Sequence, residues 1–96
     1  MDVNVNVEYC VVCGYEKEFL EMTKAIKSFV PDAIVTGKDA KEGAFEVSIN
    51  EQLVHSKLQT LAFPDHNNVG EIVREVYEGY PVRKVDKQQP IECSIQ

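Results

Sequence analysis

The chain begins with an alternation of apolar and polar residues, VNVNVE over residues 3–8. Successive side chains of a β-strand point to opposite faces, so this period of two predicts a strand with one buried face. From Tyr15 onward the apolar residues recur at helical spacing, which predicts an amphipathic helix that ends before Pro31. Its apolar stripe consists of Phe19, Leu20, Ile26, Phe29 and Val30.

The middle of the chain returns to strand patterns. Residues 33–36 form a short apolar run, and residues 37–43 are polar and expected to be flexible. Alternation in FEVSI, followed by a turn at Asn50-Glu51 and by QLVHSK, predicts an antiparallel hairpin whose turn lacks glycine. A loop is expected over residues 58–66. Residues 69–77 then carry a second helical stripe, which Gly79 and a following proline end.

The predicted order is therefore strand, helix, strand, strand, strand, helix. A right-handed crossover makes the first two strands parallel, and the hairpin completes a four-stranded mixed sheet with both helices packed against it. This α/β (α+β) arrangement is thioredoxin-like. We expect residues 1–79 to form this domain and residues 80–96, which are polar and contain prolines, to be a flexible C-terminal tail.

Composition and charge narrow the functional classes. The chain has 96 residues, of which 44% are hydrophobic and 27% charged, as expected for one compact domain and a monomer. The net charge of -6 repels phosphate backbones and argues against a nucleic-acid partner. No apolar run is long enough to span a bilayer, and no secretory signal begins the chain. A cytoplasmic location is the resulting expectation.

Two cysteines, Cys10 and Cys13, lie in the turn expected between the first strand and the first helix. Free backbone N–H groups and the positive end of the helix dipole stabilise a thiolate there, which favours a redox pair. Two alternatives stay open: half of a metal site, and a pair of buried inert cysteines. A tetrahedral metal site needs about two more ligands. The chain offers only three others, without a paired spacing: His55, His66 and Cys93.

The charges near the cysteines argue against strong stabilisation of a thiolate. Three acidic residues oppose a thiolate, and only Lys17 supports it. The acidic residues are Glu8, Glu16 and Glu18. Because weak stabilisation of the thiolate gives the dithiol form little advantage over the disulfide, we expect a reducing pair.

Larger pieces of the sequence carry a resemblance. The stretches VEYCVVCGYEKEFLEM and GAFEVSINEQLVHSKL, followed by FP and the second helix, resemble the selenoprotein W (Rdx) family from Val3 to about Gly79. The resemblance implies a thioredoxin-like fold and thiol-disulfide exchange at Cys10 and Cys13, with proteins bearing reactive thiols as partners and glutathione as a redox partner. Selenium-containing members carry selenocysteine where this chain has Cys13, so the roles of the two cysteines are not separable from sequence.

The last four residues, Cys93-Ser94-Ile95-Gln96, match a prenylation box of the farnesyl type. The resemblance favours this interpretation, because one branch of the family is prenylated; an unmodified thiol is the alternative. One lipid chain anchors weakly, so we expect reversible membrane association on the cytosolic face. Two hypotheses follow: a thiol-disulfide oxidoreductase, and a membrane-associated adaptor that binds signalling proteins, with the cysteines as a redox switch.

Overall fold

The computed structural model describes residues 2–90. Its main elements follow the predicted order, strand, helix, strand, strand, strand, helix, with one short helix added before the last. They are β1 (Asn4–Tyr9), α1 (Glu16–Phe29), β2 (Ile34–Asp39), β3 (Phe45–Ile49), β4 (Gln52–Ser56), α2 (Lys57–Thr60) and α3 (His66–Tyr77).

The four strands form one mixed sheet in the order β2-β1-β3-β4. β1 pairs in parallel with β2 and antiparallel with β3, and β3 pairs antiparallel with β4. The predicted thioredoxin-like sheet is confirmed. β2 extends to Asp39, beyond the expected run of 33–36, because its pairing with β1 continues to the end of that strand.

The core lies between one face of the sheet and the helices α1 and α3. The alternation in β1 is confirmed, with Val5 and Val7 fully buried and the intervening polar residues exposed. Each fully buried Val, Ile or Phe contributes about 1.5–3 kcal/mol. The other fully buried apolar residues of this core include Met22, Ile26, Phe45, Val47, Ile49, Val69, Ile72 and Val73.

The two long helices cross at a glycine. A Cβ atom at Gly70 of α3 would overlap Cδ2 of Phe29 in α1, so a larger residue would force the ring to move. The Phe29 ring also lies under the guanidinium of Arg74, at 5.3 Å. Glycine at this position therefore sets how closely α1 and α3 approach.

The hairpin turn is formed without glycine. Asn50 and Glu51 both have positive φ, 48° and 71°, as the two central residues of a type I′ turn do. The side-chain Oδ1 of Asn50 accepts the N–H of Asn4 at 2.9 Å, and the Asn50 N–H donates to the Asn4 carbonyl at 2.8 Å. These two bonds to β1 support the turn in place of glycine's conformational freedom.

Helix α2 lies where the sequence predicted only a loop. Ser56 caps it by accepting the N–H of Gln59 at 3.3 Å, and Leu61 ends it with φ of 64°. The order Ser56-x-x-Gln59 is that of a capping box. This local signal predicts the helix start, although the helix is too short to show a periodic apolar stripe.

Residues 80–90, which we call the C-terminal segment, are packed against the domain, whereas a flexible tail was expected. Its backbone forms hydrogen bonds from Val85 to the Val54 carbonyl at 3.0 Å and from Gln89 to the Phe63 carbonyl at 2.8 Å. Val82 and Val85 pack against the core. The packed part of the chain thus continues past residue 79, and residues 91–96, with Cys93, lie outside the described residues.

Candidate functional site

Residues 10–15, which we call the cysteine turn, connect β1 to α1. Backbone hydrogen bonds run across the turn, from the Gly14 N–H to the Val11 carbonyl at 3.0 Å and from the Tyr15 N–H to the Cys10 carbonyl at 3.3 Å. Gly14 has φ of 81°, a conformation that glycine adopts without strain. The turn thereby brings the two cysteines together at the end of a buried strand, where the sequence predicted them.

Cys10 and Cys13 form a disulfide, with their Cα atoms 5.3 Å apart. The two residues differ in burial: Cys10 is 0% exposed, and Cys13 is partly exposed. A molecule that approaches the turn from solvent therefore meets Cys13. The structure joins two of the three predicted site cysteines; Cys93 is not among the described residues.

Backbone N–H groups reach both sulfurs. The N–H of Cys13 donates to Cys10 Sγ at 3.2 Å, and the N–H of Gly43 donates to Cys13 Sγ at 3.4 Å. The first donor belongs to the turn itself, as expected from its position before a helix. The second comes from 30 residues away in the chain, and the sequence interpretation did not include it.

Gly43 belongs to the loop of residues 40–44, which is fixed to the end of β1. The Ala40 N–H donates to the Tyr9 carbonyl at 2.9 Å, and the Ala44 carbonyl accepts the Cys10 N–H at 2.9 Å. A polar, flexible connection was expected here. Pairing of β1 with both β2 and β3 instead places this loop beside the cysteine turn.

The acidic surroundings also differ from the expectation. Glu18 has two partners of its own: its Oε2 lies 2.7 Å from Nε2 of His66 and accepts a hydrogen bond from the Gln89 amide. The carboxylate that touches the cysteine turn is Asp39, whose Oδ1 accepts the Val11 N–H at 3.4 Å. Parallel pairing of β1 with β2 puts Asp39 opposite Tyr9. The sequence does not show this register, and so it did not predict that Asp39 lies at the cysteine turn.

Exposed apolar side chains precede Cys13 in the cysteine turn. Val11 is 45% exposed and Val12 is 90% exposed. Tyr15, the last residue of the turn, packs edge-on against Phe63 at 4.9 Å, and the Lys57 ammonium lies 5.2 and 5.1 Å from these two rings. The turn therefore presents an apolar rim with a cation beside it, a surface suited to a protein or peptide chain.

The histidines have structural partners. His55 is 5% exposed and its Nε2–H donates to the Ala62 carbonyl at 2.8 Å, while His66 contacts Glu18. Within residues 2–90, no three His, Cys, Asp or Glu side chains cluster closely enough to hold a metal ion. In the same part of the chain, no helix has both the length and the apolar character needed to cross a bilayer.

Comparison with known proteins shows the family of the chain. The model of the Rdx family matches residues 4–75. The chain belongs to the Rdx family. The match spans the cysteine turn, Asp39, the 40–44 loop and most of α3, so both cysteines of the disulfide lie within the family region.

Individual relatives resemble this Rdx-family chain over most of its length. Migration and invasion enhancer 1 of Mus musculus is 39% identical over 88 residues, which is 92% of this chain and 76% of that protein. Selenoprotein W of Danio rerio is 32% identical over 71 residues, 71% of this chain and 83% of that protein. A crystal structure of a selenoprotein W-related protein from Vibrio cholerae superposes with a TM-score of 0.71 at 18% identity, covering 79% of this chain and 98% of that one. At that identity the likeness shows the fold alone.

Proposed function

We propose that this Rdx-family protein performs thiol-disulfide exchange, with Cys13 as the sulfur that meets the partner and Cys10 as the sulfur that resolves the mixed disulfide. The observation that carries the proposal is the difference in burial across one bonded pair: Cys10 is 0% exposed and Cys13 is partly exposed. An attacking sulfur must be reachable from outside. A resolving sulfur needs only to reach its neighbour.

The exchange balances as follows. In the reduced protein the Cys13 thiolate attacks one sulfur of a partner disulfide, forms a mixed disulfide and releases the partner's other sulfur as a thiolate. Cys10, deprotonated, then attacks Cys13 Sγ, which restores the Cys10–Cys13 disulfide and releases the second partner thiol. The protein is oxidised by two electrons, and the partner disulfide is reduced.

Regeneration requires two electrons from a thiol. Glutathione suits this step chemically, since two molecules reduce the protein disulfide and leave as oxidised glutathione. The protein partner is a disulfide-bearing chain with apolar residues near its reactive sulfur, which would contact the exposed Val11 and Val12. Support for this class of partner comes from the apolar rim around Cys13.

Single cysteine variants test the assignment, each made with Cys93→Ser so that no other thiol reacts. With Cys10→Ser, a disulfide-bearing probe peptide should accumulate as a mixed disulfide on Cys13, visible by intact mass. With Cys13→Ser, the buried Cys10 should react at least about tenfold more slowly, because thiolate access controls the rate. Accumulation on Cys10 and not on Cys13 would reverse the roles, and reaction at neither cysteine would reject exchange.

A second candidate function is a membrane-associated adaptor that acts in signalling or cell migration. It is favoured by the similarity to migration and invasion enhancer 1, 39% identical over 88 residues, and by the prenylation-type order Cys93-Ser94-Ile95-Gln96. Farnesylation of Cys93 would supply reversible attachment on the cytosolic face, since one lipid chain binds weakly.

Fractionation of eukaryotic cells with intact mass measurement tests the adaptor. Cys93→Ser should move the protein out of the membrane fraction, whereas Cys13→Ser should leave it there. An unmodified Cys93 in the membrane fraction, or a Cys93→Ser protein that stays with membranes, would contradict the lipid-dependent location. An adaptor function separate from exchange predicts that Cys13→Ser retains its protein partners while losing turnover.

A further inference from the structure

We propose that the backbone N–H of Gly43 holds and stabilises the Cys13 thiolate in the reduced protein. The 40–44 loop is then the part of the site that sets the reactivity of the attacking sulfur. This inference rests on the proposed exchange function and adds a positioning residue to it. Gly43 acts through its main chain, and so no side-chain motif marks it in the sequence.

The contact is already present in the oxidised protein. The Gly43 N–H donates to Cys13 Sγ at 3.4 Å, and a cysteine sulfur is a weak acceptor. Within the cysteine turn, the N–H of Cys13 does not serve its own sulfur, because it donates to Cys10 Sγ at 3.2 Å. A donor for Cys13 therefore has to come from another element, and the loop supplies it.

The loop is held firmly enough to aim this donor. Its first residue, Ala40, donates to the Tyr9 carbonyl at 2.9 Å, and its last, Ala44, accepts from Cys10 at 2.9 Å and donates to the Lys41 carbonyl at 3.1 Å. The loop is thus tied to Tyr9, the last residue of β1, and to Cys10, the first residue of the cysteine turn. Reduction breaks only the S–S bond and leaves these backbone bonds in place.

Reduction changes the strength of the Gly43 contact. When two electrons cleave the disulfide, Cys13 Sγ becomes a thiolate or, with a proton, a thiol. A hydrogen bond to an ionised acceptor is about twice as strong as one between neutral groups, so the N–H favours the thiolate over the thiol. Cys13 is consequently present as the nucleophilic thiolate in a larger fraction of molecules at neutral pH, which favours its attack on a partner disulfide.

Glycine is needed for the conformation and not for space. Gly43 has φ of 83°, and a Cβ atom there would meet only Cδ2 of Leu58, at an ordinary contact distance of 3.8 Å. A larger residue would fit, but its backbone would be strained and would shift the N–H away from Cys13. Gly43→Ala should therefore disturb the sulfur contact without a steric clash.

The sharpest test removes the N–H and keeps the glycine. Chemical synthesis can replace the amide between residues 42 and 43 by an ester, in a chain carrying Cys10→Ser and Cys93→Ser so that Cys13 is the only thiol. The readout is the pH midpoint for alkylation of Cys13 by iodoacetamide. Loss of one charge-assisted hydrogen bond should raise this midpoint by about one pH unit, which lowers the thiolate fraction below the midpoint about tenfold.

Gly79 provides the matched control. It also has positive φ, 104°, and its N–H donates to the Val76 carbonyl at 3.0 Å, at the end of α3 and with nothing within 4 Å of its Cβ position. An ester at residue 79 should leave the midpoint unchanged. Among recombinant variants, Gly43→Ala should raise the midpoint and Gly79→Ala should leave it unchanged. Both substitutions strain the backbone, but only residue 43 contacts the sulfur.

An unchanged midpoint in the residue-43 ester would overturn the proposal, and so would equal shifts in the two esters. The measurement uses no partner protein and no turnover. Its outcome is therefore separate from the exchange function, which fails instead if Cys10→Ser forms no mixed disulfide with the probe peptide. If the midpoint rises but no mixed disulfide is trapped, the Gly43 N–H still donates to the Cys13 thiolate, and the exchange function is rejected.

Discussion

The cysteine turn and the C-terminal segment are both irregular stretches of chain, but they are held in opposite ways. The turn is fixed by backbone hydrogen bonds and one disulfide, and its valine side chains project into solvent. The C-terminal segment also has backbone hydrogen bonds, but side chains supply more of its contacts. Three residues contribute most of these side-chain bonds: Asn68, Arg83 and Gln89. The turn should therefore tolerate changes of exposed side chains, whereas the C-terminal segment should depend on single ones.

Asn68 illustrates the second mode of attachment. It lies in the first turn of α3, is 2% exposed, and its Oδ1 accepts the N–H groups of Asp86 and Lys87 at 3.0 and 3.2 Å. One buried amide oxygen thus serves two backbone donors of the C-terminal segment. The N–H of Asp65, the N-cap residue of α3, donates to the Lys87 carbonyl at 3.0 Å, so Lys87 is held through both of its backbone groups.

The largest effect we expect comes from Asn68→Ala. Removal of the amide leaves two backbone N–H groups without their acceptor and opens a small cavity, and so the free energy of unfolding should fall by about 2–3 kcal/mol. Urea denaturation measures this change. Hydrogen exchange should show Asp86 and Lys87 exchanging faster, while amides of β1 keep their relative protection.

Asn67→Ala is the matched control, because Asn67 is exposed and immediately precedes Asn68 in α3. It should change the free energy of unfolding by less than about 0.5 kcal/mol. Equal destabilisation by the two variants would show that the C-terminal segment does not depend on the Asn68 amide.

The second largest effect concerns the turn, and it comes from a covalent change. The disulfide closes a short loop, with a sequence separation of 3. The loop-closure estimate for so short a loop gives a stabilisation of about 1–2 kcal/mol relative to the dithiol. Denaturation with and without dithiothreitol measures it, and a Cys10→Ser/Cys13→Ser chain should be indifferent to the reductant. Greater stability of the reduced form would contradict the expectation of a reducing pair, since the disulfide would then be the less stable state.

The same contrast explains what the sequence could and could not predict. The order of the main elements and the place of Cys10 and Cys13 follow from periodicity, because a strand and a helix each repeat their burial pattern along the chain. Gly43 and Asp39 reach the site only through strand register, which pairs residues about 30 positions apart. The C-terminal segment has no hydrophobic period, and much of its attachment comes from Asn68, which in the sequence cannot be told from any other polar residue at the start of a helix.

A smaller effect compares one substitution in both regions. Val85 of the C-terminal segment is partly buried against the core, whereas Val12 of the turn is 90% exposed. Val85→Ser should lower the free energy of unfolding by about 1 kcal/mol through lost apolar burial, and Val12→Ser by less than about 0.5 kcal/mol. Urea denaturation of the two variants gives both values. If Val12→Ser proved the more damaging, the turn would depend on its side chains after all.

In trapping experiments the order of the same two variants should reverse. Val12 belongs to the apolar rim that we propose contacts the partner, so Val12→Ser should slow mixed-disulfide formation with an apolar probe peptide. Val85 lies in the C-terminal segment, and Val85→Ser should leave that rate unchanged under conditions where the protein is folded. Equal rates for the two variants and the parent chain would remove Val12 from the partner surface.

The smallest effect depends on pH and on the ion pair between α3 and the C-terminal segment. Arg83 donates to both carboxylate oxygens of Glu75, at 2.8 and 3.0 Å. This hydrogen bonding lowers the pKa of Glu75 below its ordinary value and raises the pKa of Arg83. A carboxyl with a lowered pKa in the folded state adds stability above its unfolded pKa, and that stability is lost as the pH falls through the folded value.

Glu75→Gln should therefore cost a little stability at pH 7 and none once the pH lies well below the ordinary glutamate pKa of about 4.3. The cost is small because both side chains are more than a third exposed, at 39% and 34%. Chemical denaturation of parent, Glu75→Gln, Arg83→Gln and the double variant at pH 7 and in acid forms a thermodynamic cycle. We expect a favourable coupling at pH 7 that vanishes in acid, whereas coupling of the same size at both pH values would show that the contact does not require the charged carboxylate.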